Sequence, residues 1–169
     1  MDIIKQLTDI DIIQHGNFVL KSGLTSNIYI DLRKVINYPM IYKEICHNIF
    51  NLIDDSNIDK LKLCGIPYGG IPCASFISIQ YNIPMIFFRK EKKNHGTKKL
   101  IEGVYNTGDE VILIEDVITT GSSIKDAFQL LQSQGLIIKQ IIVIFSRHPE
   151  KNLVINGVPI QYLYHIDDL

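Results

Sequence analysis

The sequence is poor in cysteine and has no long apolar run. Its three cysteines, Cys46, Cys64 and Cys73, cannot all pair and form no Cys-x-x-Cys motif, so we expect reduced thiols in the core of a cytoplasmic protein. No run approaches the roughly 20 apolar residues that span a bilayer. The N-terminus lacks a basic segment followed by an apolar one and a small-residue cleavage site, so it does not predict a secretory signal.

The composition is that of one globular domain. The chain has 169 residues, 46% of them hydrophobic and 21% charged, which is enough for a single buried core. The net charge is −1, but residues 89–99 contain six Lys or Arg and one Glu, a local charge of +5. An anionic ligand would explain this stretch, and so would a solvated surface loop. Binding to nucleic acid is not expected, because one short basic run lacks base-reading aromatic residues.

Apolar patterns predict strands that alternate with helices. Short isoleucine-rich runs at 111–114 and 141–145 are typical of strands buried on both faces of a parallel sheet. The alternation predicts an α/β fold in which helices flank a mostly parallel, twisted sheet, with ligands beyond the C-terminal strand ends. Helices are predicted near the N-terminus, from Pro39 onward, over 71–81 and over 123–134. Strands are predicted over 18–20, 28–30, 61–65, 84–88, 111–114 and 137–145.

Residues 111–123 contain the most informative motif. A buried strand leads into Glu115 and Asp116, then into a hydroxyl-rich loop with Gly121, then into a helix. A helix N-terminus offers unpaired N–H groups and a positive dipole end, which suit a phosphate, while the acids suit sugar hydroxyls or water-bound magnesium. The plainer alternative is that Ser122 or Ser123 caps the helix and the acids face solvent. The segment matches neither a Walker P-loop nor a dinucleotide-binding motif.

This segment resembles the motif by which type I phosphoribosyltransferases bind phosphoribosyl pyrophosphate (PRPP). The resemblance implies the type I phosphoribosyltransferase fold, with a small N-terminal hood. It also implies that the two acids hold the ribose hydroxyls and that residues 119–123 hold the 5-phosphate. The PRPP-binding residues implied here are Glu115, Asp116, Val117, Ile118, Thr119, Thr120, Gly121, Ser122 and Ser123.

Three further segments resemble orotate phosphoribosyltransferases in particular. Residues 18–31 resemble the N-terminal signature of that family, in which a lysine contacts both base and pyrophosphate. Residues 88–96 resemble its mobile catalytic loop, written roughly Arg-Lys-x-x-Lys-x-His/Tyr-Gly. Residues 63–72 resemble its pyrophosphate loop, although Gly69 stands where many bacterial members have lysine. On the residues alone, a hairpin turn and a solvated charge run would explain the first two segments.

The resemblance assigns roles to these residues. Cations of the basic loop close over the departing pyrophosphate, stabilise its charge and exclude water. A planar guanidinium just past the strand at 137–145 matches the carboxylate of orotate, although alone it would be a surface arginine. The implied catalytic residues are Lys90, Lys93, His95 and Asp116. The further PRPP contacts are Lys21, Tyr68, Gly69, Arg89, Lys90, Lys93 and His95, and the orotate contacts are Lys21, Tyr29, Ile30, Thr119 and Arg147.

The resemblance thus implies one domain that transfers the phosphoribosyl group of PRPP to orotate in UMP biosynthesis. Residues 1–36 would belong to the hood and 37–147 to the PRPP-binding core. Residues 148–169 would form a tail with an edge strand at 158–164 and a surface His165. Two alternatives stay open. One is an enzyme for another base, which Lys21 and Arg147 argue against, and the other is a non-catalytic PRPP sensor, which the basic loop argues against.

Cofactor and partners are also implied by the resemblance. Mg²⁺ would arrive with PRPP and have no direct protein ligand, with contact through water to Glu115 and Asp116. A cytoplasmic homodimer would share residues 89–96 across its subunits, and no membrane partner is expected. The resemblance is closest to the phosphoribosyltransferase half of UMP synthases, so a separate orotidine 5′-phosphate decarboxylase is the expected functional partner.

Overall fold

The computed structural model describes residues 2–19, 25–54, 61–89 and 100–169. The chain divides into two compact units, one formed by Met1–Ile45 with Leu169 and the other by Cys46–Asp168. In the part of the chain that the structure describes, no helix is both long and apolar enough to cross a membrane. Four of the predicted site residues lie outside the described residues, namely Lys21, Lys90, Lys93 and His95.

The N-terminal unit contains a short helix and a hairpin. The Asp2 carboxylate accepts a hydrogen bond from the Ile4 N–H at 3.0 Å and caps the helix. The helix ends at Asp9, and Ile13 begins the next strand, where it pairs with Ile30. The elements are α1 (Ile3–Asp9), β1 (Ile13–Val19), β2 (Thr25–Ile30), a 3-10 helix (Leu32–Asn37) and the first part of α2 (Pro39–Phe50).

The second unit is built on a seven-stranded sheet, counted over the described residues, in the order β5-β4-β3-β6-β7-β9-β8. The five inner strands run parallel to one another, and the short edge strands β5 and β8 are antiparallel to their neighbours. The strands are β3 (Leu61–Gly65), β4 (Met85–Phe88), β5 (Ile101–Glu102), β6 (Glu110–Ile118), β7 (Ile137–Ser146), β8 (Val154–Ile155) and β9 (Val158–His165). Helices α3 (Gly70–Tyr81) and α4 (Ser122–Ser133) and a 3-10 helix (Ile166–Asp168) complete the unit.

The two central strands form the core of this unit. The apolar side chains of β6 from Val111 to Ile114 are fully buried, and those of β7 from Ile141 to Phe145 are at most 1% exposed. Helix α3 packs on β3 and β6, and helix α4 packs on β7. Continuous burial is what isoleucine-rich strands achieve when helices cover a parallel sheet. The predicted α/β fold with a mostly parallel sheet and flanking helices is therefore confirmed.

Three local predictions were wrong. Strand β6 continues to Ile118, so Glu115 lies on a strand that pairs with β7 and not in a loop. Strand β9 lies between β7 and β8 and is not at the sheet edge, because the two-residue strand β8 pairs with its start. His165, expected at the surface, is 1% exposed. Strand β8 is too short to show an alternating pattern in the sequence.

Candidate active site

The site lies at the C-terminal ends of β6 and β7. Ile118 pairs with Ser146, so both strands end at the same level. Thr119 and Arg147 are therefore the first residues beyond two adjacent strands, which lie about 4.8 Å apart in a sheet. The Arg147 N–H donates to the Ile118 carbonyl at 2.9 Å, which links the two chain segments past the last paired residues. The structure thus places these two sequence-predicted residues side by side.

A small pocket opens where β6 turns into α4. Its volume is about 30 Å³, and it is lined by residues predicted to hold PRPP, together with Ile124. The N-cap residue before helix α4 is Gly121, which has a positive φ of 75° and, having no side chain, forms no side-chain cap. The predicted alternative in which Ser122 or Ser123 caps the helix is therefore wrong. The lining residues are Glu115, Val117, Ile118, Thr119, Gly121, Ser122, Ser123 and Ile124.

The first turn of α4 gathers hydroxyl groups around backbone N–H groups. The Thr120 hydroxyl donates to the Ser122 hydroxyl at 3.3 Å, and its oxygen lies 3.5 Å from the Ser122 nitrogen. The side chains of Thr119, Thr120 and Ser123 are exposed at this end of the helix. N–H groups without a strong partner, a helix dipole and nearby hydroxyls together favour an anion.

The two acids point to different parts of the site. Glu115 is only 6% exposed and lines the pocket, and its Oε1 accepts the Asp116 N–H at 3.1 Å. Asp116 lies against Gly69, since a Cβ built on this glycine would be 1.9 Å from Asp116 Oδ2. Successive side chains on a strand alternate between the two faces, which explains the divergence. The alternative in which both acids face solvent is wrong for Glu115.

The predicted pyrophosphate loop lies between β3 and α3, beside β6. The Ile66 N–H donates to the Ile114 carbonyl at 2.8 Å, and the peptide bond between Pro67 and Tyr68 is cis. A Cβ on Gly70 would lie 2.1 Å from the Ile114 oxygen, so only glycine fits there. Tyr68 is 71% exposed. The glycines thus let this loop approach β6 closely, and Asp116 is its neighbour.

Arg89 follows β4 directly, at the start of the basic segment. Its N–H donates to the Leu100 carbonyl at 2.9 Å, and its Nε lies 2.6 Å from Glu102 Oε1. Both side chains of this ion pair are about one third exposed, at 35% and 36%. Such partly exposed ion pairs contribute about 0–1 kcal/mol to the free energy of unfolding. The contact with Glu102 therefore orients the Arg89 side chain but adds little stability. The pairing of β4 with β5 thus brings Arg89 and Leu100, which flank the segment, next to each other.

The predicted orotate contacts fall on both units. Tyr29 is half-buried and Ile30 is buried on β2, and the Tyr29 ring packs on Phe18 with ring centroids 5.4 Å apart. Thr119 and Arg147 lie in the second unit, at the strand ends described above.

Sequence reasoning missed two residues at the same strand ends. Among the described residues, the buried polar or charged side chains are Glu115, Ser146 and His165. All three lie at or near the C-terminal ends of neighbouring strands, and Ser146 pairs with His165. Each is a polar residue that follows a mostly apolar run on its strand. This pattern is the signal that could have identified Ser146 and His165 from the sequence.

The described residues contain neither a cluster of metal-binding side chains nor an exposed cysteine. No three of their His, Cys, Asp or Glu side chains lie close enough to hold a metal. The three cysteines are free and buried. Burial raises the pKa of the Cys64 thiol to about 12, and a hydrogen bond with Cys46, together with burial, raises the pKa of Cys73. These thiols are core residues, as predicted.

Comparisons with known proteins agree with this geometry. Residues 34–164 match the phosphoribosyl transferase domain family. The chain is 35% identical over 170 residues to orotate phosphoribosyltransferase of Pyrococcus abyssi, covering 99% of this chain and 93% of that protein. It is 39% identical over 158 residues to uridine 5′-monophosphate synthase of Bos taurus, covering 92% of this chain but 33% of that protein. The chain therefore spans about a third of the length of this relative.

A solved structure shows the same fold. The crystal structure of orotate phosphoribosyltransferase from Aeropyrum pernix superposes with a TM-score of 0.86 at 27% identity, covering 99% of this chain and 95% of that one. The chain belongs to the phosphoribosyltransferase family and, within it, to the orotate phosphoribosyltransferases.

Proposed function

We propose that this chain transfers the phosphoribosyl group of PRPP to orotate, with orotidine 5′-phosphate and pyrophosphate as products, in UMP biosynthesis. The observation that carries the proposal is the pairing of Ile118 with Ser146, which puts Thr119 of the phosphate loop beside Arg147. A phosphate site and a carboxylate-binding cation at adjacent strand ends suit a reaction that joins a sugar phosphate to an acidic base. Relatives of nearly the same length bear the name of this activity.

PRPP binds along the ends of β6 and β3 in this proposal. Its 5-phosphate accepts hydrogen bonds from the first turn of α4 and from the hydroxyls of residues 119–123. Glu115 and Asp116 accept hydrogen bonds from the ribose hydroxyls, one from the pocket side and one from the side of Gly69. The pyrophosphate lies at the loop of Tyr68 and Gly69, next to Asp116. The support is that all these groups meet at one end of the sheet.

Orotate is held at its acidic edge by Arg147. The planar guanidinium pairs with a carboxylate through two parallel hydrogen bonds, a geometry that lysine does not reproduce. Thr119 contributes from the neighbouring strand end, and the family resemblance adds Lys21, Tyr29 and Ile30 to the orotate contacts. Selectivity for orotate over uncharged bases follows from the positive charges of Lys21 and Arg147.

The reaction proceeds by positioning and electrostatics. The bond from the ribose carbon to the pyrophosphate oxygen breaks, and a bond from the orotate ring nitrogen to the same carbon forms, through a transition state with oxocarbenium character. The ring nitrogen gives up its proton to water. No covalent bond to the protein forms. Negative charge grows on the leaving pyrophosphate, and Lys90, Lys93 and His95 of the basic loop stabilise it as the loop closes, with Arg89 at its base.

Magnesium fits the donor set at this site. The buried Glu115 carboxylate in the pocket and the half-buried Asp116 carboxylate would supply oxygen atoms to the metal through water, and a hard cation prefers oxygen. The metal, bound to the diphosphate, would neutralise its charge and favour its departure. Substrate oxygens and water would complete the coordination, because the described part of the chain has no group of three metal-binding side chains.

The assembly and setting are proposed from the family resemblance. The chain forms a homodimer in the cytoplasm, with residues 89–96 of one subunit reaching the site of the other. A separate orotidine 5′-phosphate decarboxylase consumes the product. Gel filtration with light scattering tests the dimer, and a molecular mass of about 19 kDa, the mass of one chain, would contradict it.

The activity is tested by the loss of orotate absorbance with enzyme, PRPP and magnesium, beside parallel reactions with adenine, hypoxanthine and uracil. Consumption of orotate alone, dependent on PRPP, is the expected result. Turnover of another base would reassign the substrate. PRPP binding without turnover of any base would instead indicate a sensor.

A further inference from the structure

His165 is a buried histidine that the proposed mechanism does not use. Its side chain is only 1% exposed, at the C-terminal end of β9, directly across from Ser146 at the end of β7. Burial of a histidine at a sheet end is costly unless both ring nitrogens have partners. The contacts of this ring therefore indicate what it does.

Both ring nitrogens have backbone partners. Nδ1 lies 3.1 Å from the Asp167 N–H, which donates to it, and 3.3 Å from Asp167 Oδ2. Nε2 lies 2.8 Å from the His148 carbonyl oxygen and must be the donor. The His165 backbone N–H in turn donates to Asp168 Oδ2 at 3.0 Å, which fixes the end of β9. The network directs the Nε2 donor at the chain that follows β7.

The His148 carbonyl is one residue beyond Arg147. Residues 147–153 belong to no helix or strand, so contacts with neighbouring segments must hold them in place. On one side, the Arg147 N–H is bound to the Ile118 carbonyl at 2.9 Å. On the other side, the His165 ring binds the His148 carbonyl. The backbone of Arg147 is thus held between an anchor on β6 and an anchor on β9.

We propose that His165 is a positioning residue that fixes the Arg147 backbone, and so its guanidinium, at the orotate edge of the site by donating from Nε2 to the His148 carbonyl. The inference rests on the proposed function, in which Arg147 binds orotate. If His165 acts only by orienting Arg147, its replacement should change the KM for orotate more than the KM for PRPP, since β6 and α4 hold the phosphate loop.

The test uses three substitutions of His165. His165→Gln keeps an N–H near the position of Nε2. His165→Asn has the same amide, but its side chain is too short to reach the His148 carbonyl, so it is the matched control. His165→Leu removes both ring contacts. We expect His165→Leu and His165→Asn to raise the KM for orotate about fivefold to tenfold, the equivalent of one hydrogen bond, with the KM for PRPP within about twofold of wild type. We expect His165→Gln to restore the wild-type KM.

A double-mutant cycle with Arg147→Ala separates positioning from general damage. If His165 acts through Arg147, replacing it in the Arg147→Ala background should change the KM for orotate by less than about twofold. Multiplicative effects of the two substitutions would overturn the proposal. An equal rise in both KM values, or no difference between the Gln and Asn variants, would also overturn it and leave His165 a structural residue. Ile160→Val, a small change in the buried part of β9, controls for loosened packing.

Different results would refute the role of His165 and the proposed enzymatic activity. A wild-type enzyme that does not consume orotate would refute the function itself. A wild-type enzyme that consumes orotate, with an Arg147→Ala variant that binds it weakly and a His165→Asn variant that binds it normally, would refute only the role of His165. Thermal unfolding of each variant, measured alongside, shows whether loss of fold explains a rise in KM. His165→Gln keeps the test usable if His165→Leu does not fold.

Discussion

Gly69 leaves open the space that the Asp116 carboxylate occupies. A Cβ on this residue would lie 1.9 Å from Asp116 Oδ2 and 2.1 Å from its Cγ, closer than any unstrained contact. The backbone of Gly69 is in the ordinary helical region, with φ −71° and ψ −31°, so glycine is needed there for space and not for conformational freedom. The Asp116 carboxylate can therefore lie against the loop between β3 and α3 only because residue 69 has no side chain.

Gly69→Ala should therefore displace Asp116 while leaving the fold intact. Since a misplacement of about 1 Å at a reacting group costs up to about 100-fold, we expect kcat/KM for PRPP to fall by about 10- to 100-fold. Steady-state kinetics and thermal unfolding measure the two effects. In an Asp116→Ala background, Gly69→Ala should cost little, because the obstructing carboxylate is gone. The same loss in both backgrounds would show that Gly69 acts independently of Asp116.

Gly121 and Gly157 form a matched pair for testing the phosphate loop. Both have positive φ, 75° and 84°, but a Cβ would meet Ile155 Cδ1 at 2.9 Å on Gly121 and nothing within 4 Å on Gly157. Alanine at either position should cost about 1–2 kcal/mol in the free energy of unfolding, from backbone strain. Only Gly121→Ala should also raise the KM for PRPP, by about tenfold, because it shifts the first turn of α4. Equal KM values for the two variants would argue against the phosphate site.

Residues 90–96 of the basic loop lie outside the described residues, but the sequence offers a matched control for testing them. Lys93→Ala should lower kcat by about 100- to 1,000-fold, as expected when one group that stabilises transition-state charge is removed, while PRPP still binds. Lys92→Ala removes the same charge at a variable position of the loop pattern and should change kcat by less than about tenfold. Calorimetric titration with PRPP follows binding separately. Unchanged turnover in Lys93→Ala would refute its assignment to the leaving group.

The buried thiols should be unreactive in the native protein. Burial raises the pKa of Cys64 from 9.0 to about 12, so its thiolate is almost absent at pH 8. The raised pKa favours the folded state below pH 9, and this contribution is lost as the pH rises from 9 towards 12. A disulfide reagent at pH 8 should label none of the three cysteines rapidly and all three in denaturant. Rapid labelling of one native thiol, absent in Cys64→Ala, would contradict the buried position of Cys64.

The sequence by itself determined the layers of the second unit. Continuous burial of β6 and β7 follows from isoleucine-rich runs, and residues 115–123 combine acids, hydroxyls and glycine in an order that resembles the PRPP-binding motif of type I phosphoribosyltransferases. The order of these segments along the chain was enough to predict an α/β fold and the family. The helix and strand boundaries were less predictable, because pairing with neighbours extended β6 to Ile118 and began β1 at Ile13.

Only the tertiary structure decided which polar residues share the strand ends. The fit of Asp116 against Gly69 joins residues 47 positions apart, and the contact between His165 and His148 joins residues 17 apart, neither with a local pattern that predicts it. His165 resembles a surface histidine in sequence, because the His148 carbonyl that its ring binds lies on the segment after β7 and no pattern within β9 shows it. Burial and hydrogen-bond partners depend on what packs from elsewhere in the chain, and periodicity along one segment does not contain that information.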